Sequence, residues 1–338
     1  MTTTVTIDSS DDVQFPKNAS QKKRRLPRKL WQTAGPLVIF VAMFGLVAAL
    51  TPTFLAGGGL NVVGTSAAPI LLVALGQALV LNVGSIDLSN ASLTLLAAIF
   101  LAMTLAPLSA AAPIVVVLLV TLFGAVNGLL VAFTQVPSFA LTLGTFGIFQ
   151  AAALVVSNAT TVYVTTNGGP IIGLFQNGMA GIPLTFWLGV GVAVILWLIL
   201  RFTRFGQGMT AIGLNETGAI FSGMHTRWLK VTAFALSGLL AGLAGITIIA
   251  QAGSASPTGL GSDLLLPGIA AAIVGGTSIS GGSTNPINVV FGALTVALIP
   301  IATAVIGIDA QAQNLVYGLV IIAVVALTMA RSRNGVVK

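Results

Sequence analysis

"RFTRFGQGMTAIGLNETGAIFSGMHTRWLK", residues 201–230, is the only sizeable polar island in the interior of a strongly apolar chain. It holds Arg201, Arg204, Glu216, Arg227, Lys230 and the single histidine, His225, while the blocks on either side carry almost no charge. A charged side chain at the bilayer centre costs about 2.5–3.5 kcal/mol on insertion scales. Such an island is therefore a place where the chain leaves the membrane, and the apolar blocks flanking it are membrane domain.

Composition agrees with this. The 338 residues are 56% hydrophobic and 6% charged, with a mean hydropathy of +1.04, against roughly a quarter charged in soluble domains. Apolar runs recur from residue 33 to residue 330, each near the ~20 residues that a helix needs to cross a hydrocarbon core. The short alternating segments of a membrane barrel are absent, so the chain reads as all-α and polytopic. The spacing predicts helices near 33–51, 62–83, 90–106, 112–134, 138–157, 183–203, 229–252, 264–280, 286–305 and 311–330. The 39 glycines suit close helix–helix approach in lipid.

The net charge of +7 is a topology signal rather than a nucleic-acid footprint. The fourteen Lys and Arg fall in the N-terminal tail, the central island and the C-terminus, all of which can lie on one side of the membrane. With six predicted helices before the island and four after it, both termini and the island fall in the cytoplasm. The connections left outside, near 52–61, 107–111, 158–182, 253–263 and 306–310, contain no Lys or Arg, and Asp263 and Asp309 fall there. Residues 1–30, with Asp8, Asp11, Asp12 and the run "KKRRLPRK", read as a disordered cytoplasmic tail that fixes topology or touches lipid. Residues 31–330 form the membrane domain, residues 204–228 its cytoplasmic segment, and residues 331–338 a second tail. About thirty polar residues precede the first apolar run, which argues against a cleaved signal peptide.

Two stretches interrupt the helical pattern: "NVGSIDLSNAS" (Asn82 to Ser92) and "IVGGTSISGGSTNP" (Ile273 to Pro286). Both contain Val-Gly followed by Ser, at Val83-Gly84 to Ser89 and Val274-Gly275 to Ser280. Non-helical backbone at membrane depth must be buried in protein or line a water-filled cavity; the alternative is a short turn between antiparallel helices. Asp87 is the only acid between residues 13 and 215. It can cap the following helix together with Ser89 and Asn90, or face a path. Asn127 and Gln150 are amides within apolar runs, suited to helix adhesion or to a passing polyol. Phe139, after Pro137 and Ser138, can line a path or simply pack. Ser278 belongs to the second interruption.

Catalysis has no constellation to stand on. The chain has no cysteine, one histidine, no Gly-x-x-x-x-Gly-Lys phosphate loop and no His-Glu-x-x-His, so any ATP must be bound by another chain. The absence of cysteine excludes disulfides and leaves the compartment open. A proton-coupled carrier generally needs ionisable groups along its path, and Asp87 is nearly alone.

Four stretches together carry a resemblance: "GSIDLS" (Gly84 to Ser89), "GAVNGLLVAFTQVPSFALTLGT" (Gly124 to Thr145), "RFGQGMTAIGLNETGAIFSGM" (Arg204 to Met224) and "AAIVGGTSISGG" (Ala271 to Gly282). In this order and spacing, over most of residues 60–330, the chain resembles the membrane-spanning permease subunit of bacterial ATP-binding-cassette importers of the ribose, xylose, arabinose and galactose class. The departures are Ser85 for the usual second glycine, Asn90-Ala91 for a usual Val-Gly, and Ser283-Thr284 for a common Arg-Gly. They bear on substrate more than on fold.

The resemblance implies a multi-pass protein of the bacterial cytoplasmic membrane and a homodimer of about ten helices per copy. It also implies two cytoplasmic ATPase subunits that bind ATP and magnesium, and an extracytoplasmic sugar-binding protein received in part by the loop Asn158 to Pro183. The segment matching Arg204 to Met224 would dock on the ATPase, with Gly213, Asn215, Glu216 and Gly218 as the contacts carried over. Asp87, Ser89, Asn90, Asn127, Phe139 and Ser278 are the candidate path residues. No cofactor or metal is expected in this chain. An ion-coupled carrier or passive channel for small polar solutes is the rival reading.

Overall fold

The computed structural model describes residues 25–52, 54, 58–134, 136–258, 262–309 and 312–328. Most of the predicted N-terminal tail and all of residues 331–338 lie outside them.

The apolar runs are helices: α1 (Arg25–Leu50), α2 (Gly59–Asn82), α3 (Asn90–Leu108), α4 (Ala112–Thr134), α5 (Ser138–Val156), α7 (Leu184–Phe202), α10 (Thr226–Ala252), α11 (Leu265–Val274), α12 (Pro286–Val305) and α13 (Gln313–Thr328). Three shorter helices join them: α6 (Gly169–Gln176), α8 (Arg204–Leu214) and α9 (Glu216–Phe221). Among the described residues six helical stretches are long and apolar enough to cross a membrane; one is a 45-residue run covering α3, α4 and the 3-10 turn between them. Two boundaries differ from expectation by more than three residues. Helix α1 begins at Arg25, well before residue 33. Helix α11 stops at Val274 instead of continuing to 280.

The early stop of α11 has a local cause, and α2 shares it. At the end of α2 the Gly84 amide donates to Leu81 O (2.8 Å) and Ser85 N to Val80 O (3.1 Å); at the end of α11 Gly276 N donates to Ile273 O (2.9 Å) and Thr277 N to Ala272 O (3.0 Å). Both are Schellman endings, which need a left-handed residue. Gly84 and Gly276 provide it, with φ of 74° and 84°. The two interruptions thus begin alike, but Gly84 corresponds to Gly276, not to Gly275 as the Val-Gly match suggested. Asp87 then corresponds to Ile279, so the chemistry of the first break is not repeated in the second.

Helix α10 runs through the middle, against α2, α3 and α4. Its Gly238 meets Gly124 of α4, while Gly242 packs against Val117 and Val120 and Gly128 of α4 packs against Val231 and Phe234. A Cβ on Gly124 would lie 2.5 Å from Phe234 O, and one on Gly238 2.5 Å from Val120 O. Lipid gives helices no hydrophobic reason to associate, so backbone-close packing at small residues does the work. One apolar cluster joins α2, α7, α11 and α12, and a second joins α3, α4 and α10. Of the long helices, α5 is the least buried.

The connection expected as a plain loop at 158–182 has structure. Strand β1 (Val162–Tyr163) pairs antiparallel with β4 (Ser254–Ala255), tying it to the end of α10. The hairpin β2 (Gly178–Met179) and β3 (Ile182–Pro183) leads into α7. Ile171 of α6 is buried in the second cluster.

Candidate functional site

Residues 83–89, between α2 and α3, would carry unmatched backbone amides, and in an apolar surrounding each of these needs a partner. The first turns of α5 supply them. Ile86 N donates to Ser138 Oγ and Leu88 N to Thr142 Oγ1, both at 3.0 Å. From α2 the Gln77 amide donates to Asp87 O. The break is thereby stapled to two helices.

Asp87 is 1% exposed. Its Oδ1 accepts from Ser89 N (3.0 Å) and Ser89 Oγ (2.6 Å), and its Oδ2 accepts from Ser237 Oγ (2.8 Å) on α10. The hydroxyls are fed in turn by amides: Asn127 Nδ2 of α4 donates to Ser89 Oγ (2.8 Å), and Asn90 Nδ2 to Ser237 Oγ and Ser237 O (3.1 Å). Asn127 Nδ2 also reaches Thr145 Oγ1 of α5 (3.1 Å). Donation therefore runs amide to hydroxyl to carboxylate from both sides. Among the described residues the one ion pair is Lys230–Glu216, so hydrogen bonds rather than a counter-charge hold Asp87.

The capping reading of Asp87 needs adjusting. It bonds the Ser89 amide at the entry to α3, as a capping carboxylate does, but Ser89 occupies the cap position and makes no side-chain cap bond. Ser89, Asn90 and Asn127 are likewise buried. These four candidates are brought together as a sealed hub joining α3, α4 and α10, with α5 reached through Thr145. Asn127 bonds both Ser89 before α3 and Thr145 of α5. Phe139 and Ser278 stand elsewhere. Phe139 is 53% exposed on α5, and Ser278, in the second break, takes its bonds from its own loop, Ser278 N to Ser283 O (2.9 Å) and Ser278 Oγ to Ser280 Oγ (2.9 Å). Sequence reasoning missed Ser237, Thr142 and Gln77. Gln77 carries the signal that singled out Asn127 and Gln150, an amide in an apolar run; a serine or threonine in such a run carries none. Gln150 donates to Pro257 O (3.1 Å), tying α5 to the loop after α10.

The polar island folds as two short helices. Thr203 caps α8, accepting from Gly206 N (3.2 Å), and Asn215 caps α9, accepting from Gly218 N (2.9 Å). Glu216, in the first turn of α9, pairs with Lys230 at 2.6 Å. Gly213 faces inward against Asn82 and Gly282. The outer surface is apolar instead: Leu214 is 72% exposed, Ile220 53% and Phe221 86%, with Met224 beside them. Arg227 and Trp228 both lie against Phe133 at the end of α4. No shielded pocket holds His225, which is exposed. Among the described residues no group of His, Cys, Asp or Glu could hold a metal ion.

Comparison with known proteins gives a coherent answer. Residues 60–325 match the family described as "Branched-chain amino acid transport system / permease component". The chain is 32% identical over 314 residues to the D-allose transport system permease protein AlsC of Escherichia coli K12, covering 91% of this chain and 95% of that one. It is 32% identical over 316 residues to the ribose import permease protein RbsC of Bacillus subtilis 168 (89% and 94%), and 33% identical over 294 residues to the autoinducer 2 import system permease protein LsrC of E. coli K12 DH10B (85% and 84%). No solved structure matches significantly. The chain is a multi-pass protein of the bacterial inner membrane and belongs to the permease-component family of ATP-binding-cassette transport systems, the family its four motifs pointed to.

Proposed function

We propose that the chain forms, as two copies, the path by which a sugar or polyol enters the cell, driven by ATP hydrolysed with magnesium on a separate cytoplasmic subunit and fed by an extracytoplasmic binding protein. The protomer crosses the membrane ten times, and both termini are cytoplasmic. The apolar ridge of Leu214, Ile220, Phe221 and Met224 carries this reading. It stands on short capped helices within the one interior cluster of cations, where an exposed apolar surface has no lipid to cover it and calls for a protein partner. Asn215, Glu216 and Gly218 shape that knob: the first caps α9, the second is held by Lys230, and the third donates the capping amide. The ATPase contact is assigned to the ridge beside them.

Sugars are favoured because the relatives named above are permeases for D-allose, ribose and autoinducer 2. Phe139, on the open face of α5, is the candidate best placed to face a path between two copies. The test is uptake by vesicles holding the permease with its ATPase and binding protein. Labelled pentoses, hexoses and polyols should accumulate only with ATP inside, and Phe221→Asp should abolish ATPase association without unfolding the permease. Uptake by the permease alone, driven by an ion gradient, would establish the carrier reading instead.

A further inference from the structure

The end of α8 meets both helix breaks at one point. A Cβ on Gly213 would lie 2.0 Å from Asn82 O and 2.3 Å from Gly282 N. Asn82 O itself accepts from Gly282 N at 3.0 Å, closing the two breaks on each other. A Cβ on Gly281 would lie 2.8 Å from Gly213 O and 3.0 Å from the Cα atoms of both Gly213 and Gly84, and one on Gly282 would lie 2.5 Å from Leu214 Cγ. Asn82, fully buried, adds a side-chain bond from Nδ2 to Thr210 Oγ1 of α8 (3.4 Å), while its Oδ1 has no partner. Three segments distant in sequence thus touch backbone to backbone at Gly84, Gly213 and Gly281, with the Leu214 side chain packed on Gly282 beside them.

We infer that this glycine junction transmits movement of the cytoplasmic segment to both breaks at once, with Gly213 as the positioning residue. Packed backbones at van der Waals contact shift together, whereas interposed flexible side chains would dissipate the movement. Through the first break the movement reaches Asp87, and from there α4 and α10 by way of Asn127 and Ser237. Through the second it reaches α11 and α12. The ridge on α8 and α9 receives the push and the junction divides it. This rests on the proposed docking of the island on an ATPase.

The test exploits the absence of cysteine from the chain. A single reporter, Ile279→Cys, lies in the second break at a position that is 42% exposed. In vesicles containing the full complex, its rate of maleimide labelling should change on ATP addition by about fivefold, the lower range of allosteric coupling. In Gly213→Ala the ATPase should still associate and hydrolyse ATP, but the labelling response should vanish. Thr210→Val, which removes only the acceptor of Asn82, should reduce the response and decides the matter if Gly213→Ala does not accumulate. An undiminished response in either variant that accumulates, or no response in the native background, overturns the junction. Native vesicles that show the labelling response but import no sugar would refute the sugar assignment and leave the junction supported.

Discussion

Replacing Asp87 by alanine strands three donors at once: Ser89 N, Ser89 Oγ and Ser237 Oγ. A buried donor left unsatisfied costs about 1–3 kcal/mol, so the unrelaxed sum would approach several kcal/mol. Two effects reduce it. The Ser237 hydroxyl can turn toward Asn90, whose Oδ1 has no partner, and hydrogen bonds measured inside a membrane protein average only about 0.6 kcal/mol. The expected loss is about 2–4 kcal/mol for Asp87→Ala and about 1–2 kcal/mol for Asp87→Asn, which keeps shape and one acceptor but sets an NH2 group where the other oxygen accepts. SDS titration of the protein in mixed micelles, followed by tryptophan fluorescence and helical circular dichroism, reads both. A stability for Asp87→Ala within about 0.5 kcal/mol of the native protein, the range of surface substitutions, would refute the hub. If Asp87→Asn kept its stability yet abolished uptake, Asp87 would belong to the path.

Asn127→Leu cuts the bridge from α4 to Ser89 and Thr145 and should cost about 1 kcal/mol in the same titration, with uptake falling if the hub must stay rigid. Gly124→Leu forces α4 away from Phe234 O and should prevent accumulation of folded protein, whereas Gly191→Ala, with nothing within 4 Å, should behave as native; this is checked by detergent-soluble yield and gel filtration. Glu216→Gln breaks the pair with Lys230, but Glu216 is 43% exposed, so stability should change by no more than about 1 kcal/mol. ATPase pull-down should survive that change and fail with Phe221→Asp.

The architecture was legible because apolar runs of membrane-crossing length can hardly be anything but helices in lipid. The island's placement between the sixth and seventh predicted helices needed only that count and its own charges. The breaks were legible too, since Gly, Ser and Thr clusters stand out in such a background. Their alignment was not: the shared Val-Gly pointed one residue away from the Schellman glycines, because a backbone hydrogen-bond pattern is indifferent to which residue precedes the left-handed position.

By itself the sequence determined an all-α membrane protein, the two interrupted segments, the charged island and the permease family, all of which follow from local composition and ordered motifs. Only the tertiary structure decided what the polar residues do. Asp87 lies in the break before α3, Asn127 on α4 and Ser237 on α10, and which hydroxyl faces which carboxylate depends on how those helices rotate and cross at Gly124 and Gly238. Gly213 was singled out through the resemblance as an ATPase contact, and the structure sets it against Asn82 and Gly282. Its role is set by Asn82 O and Gly282 N arriving from elsewhere in the chain, and local spacing holds no record of that meeting.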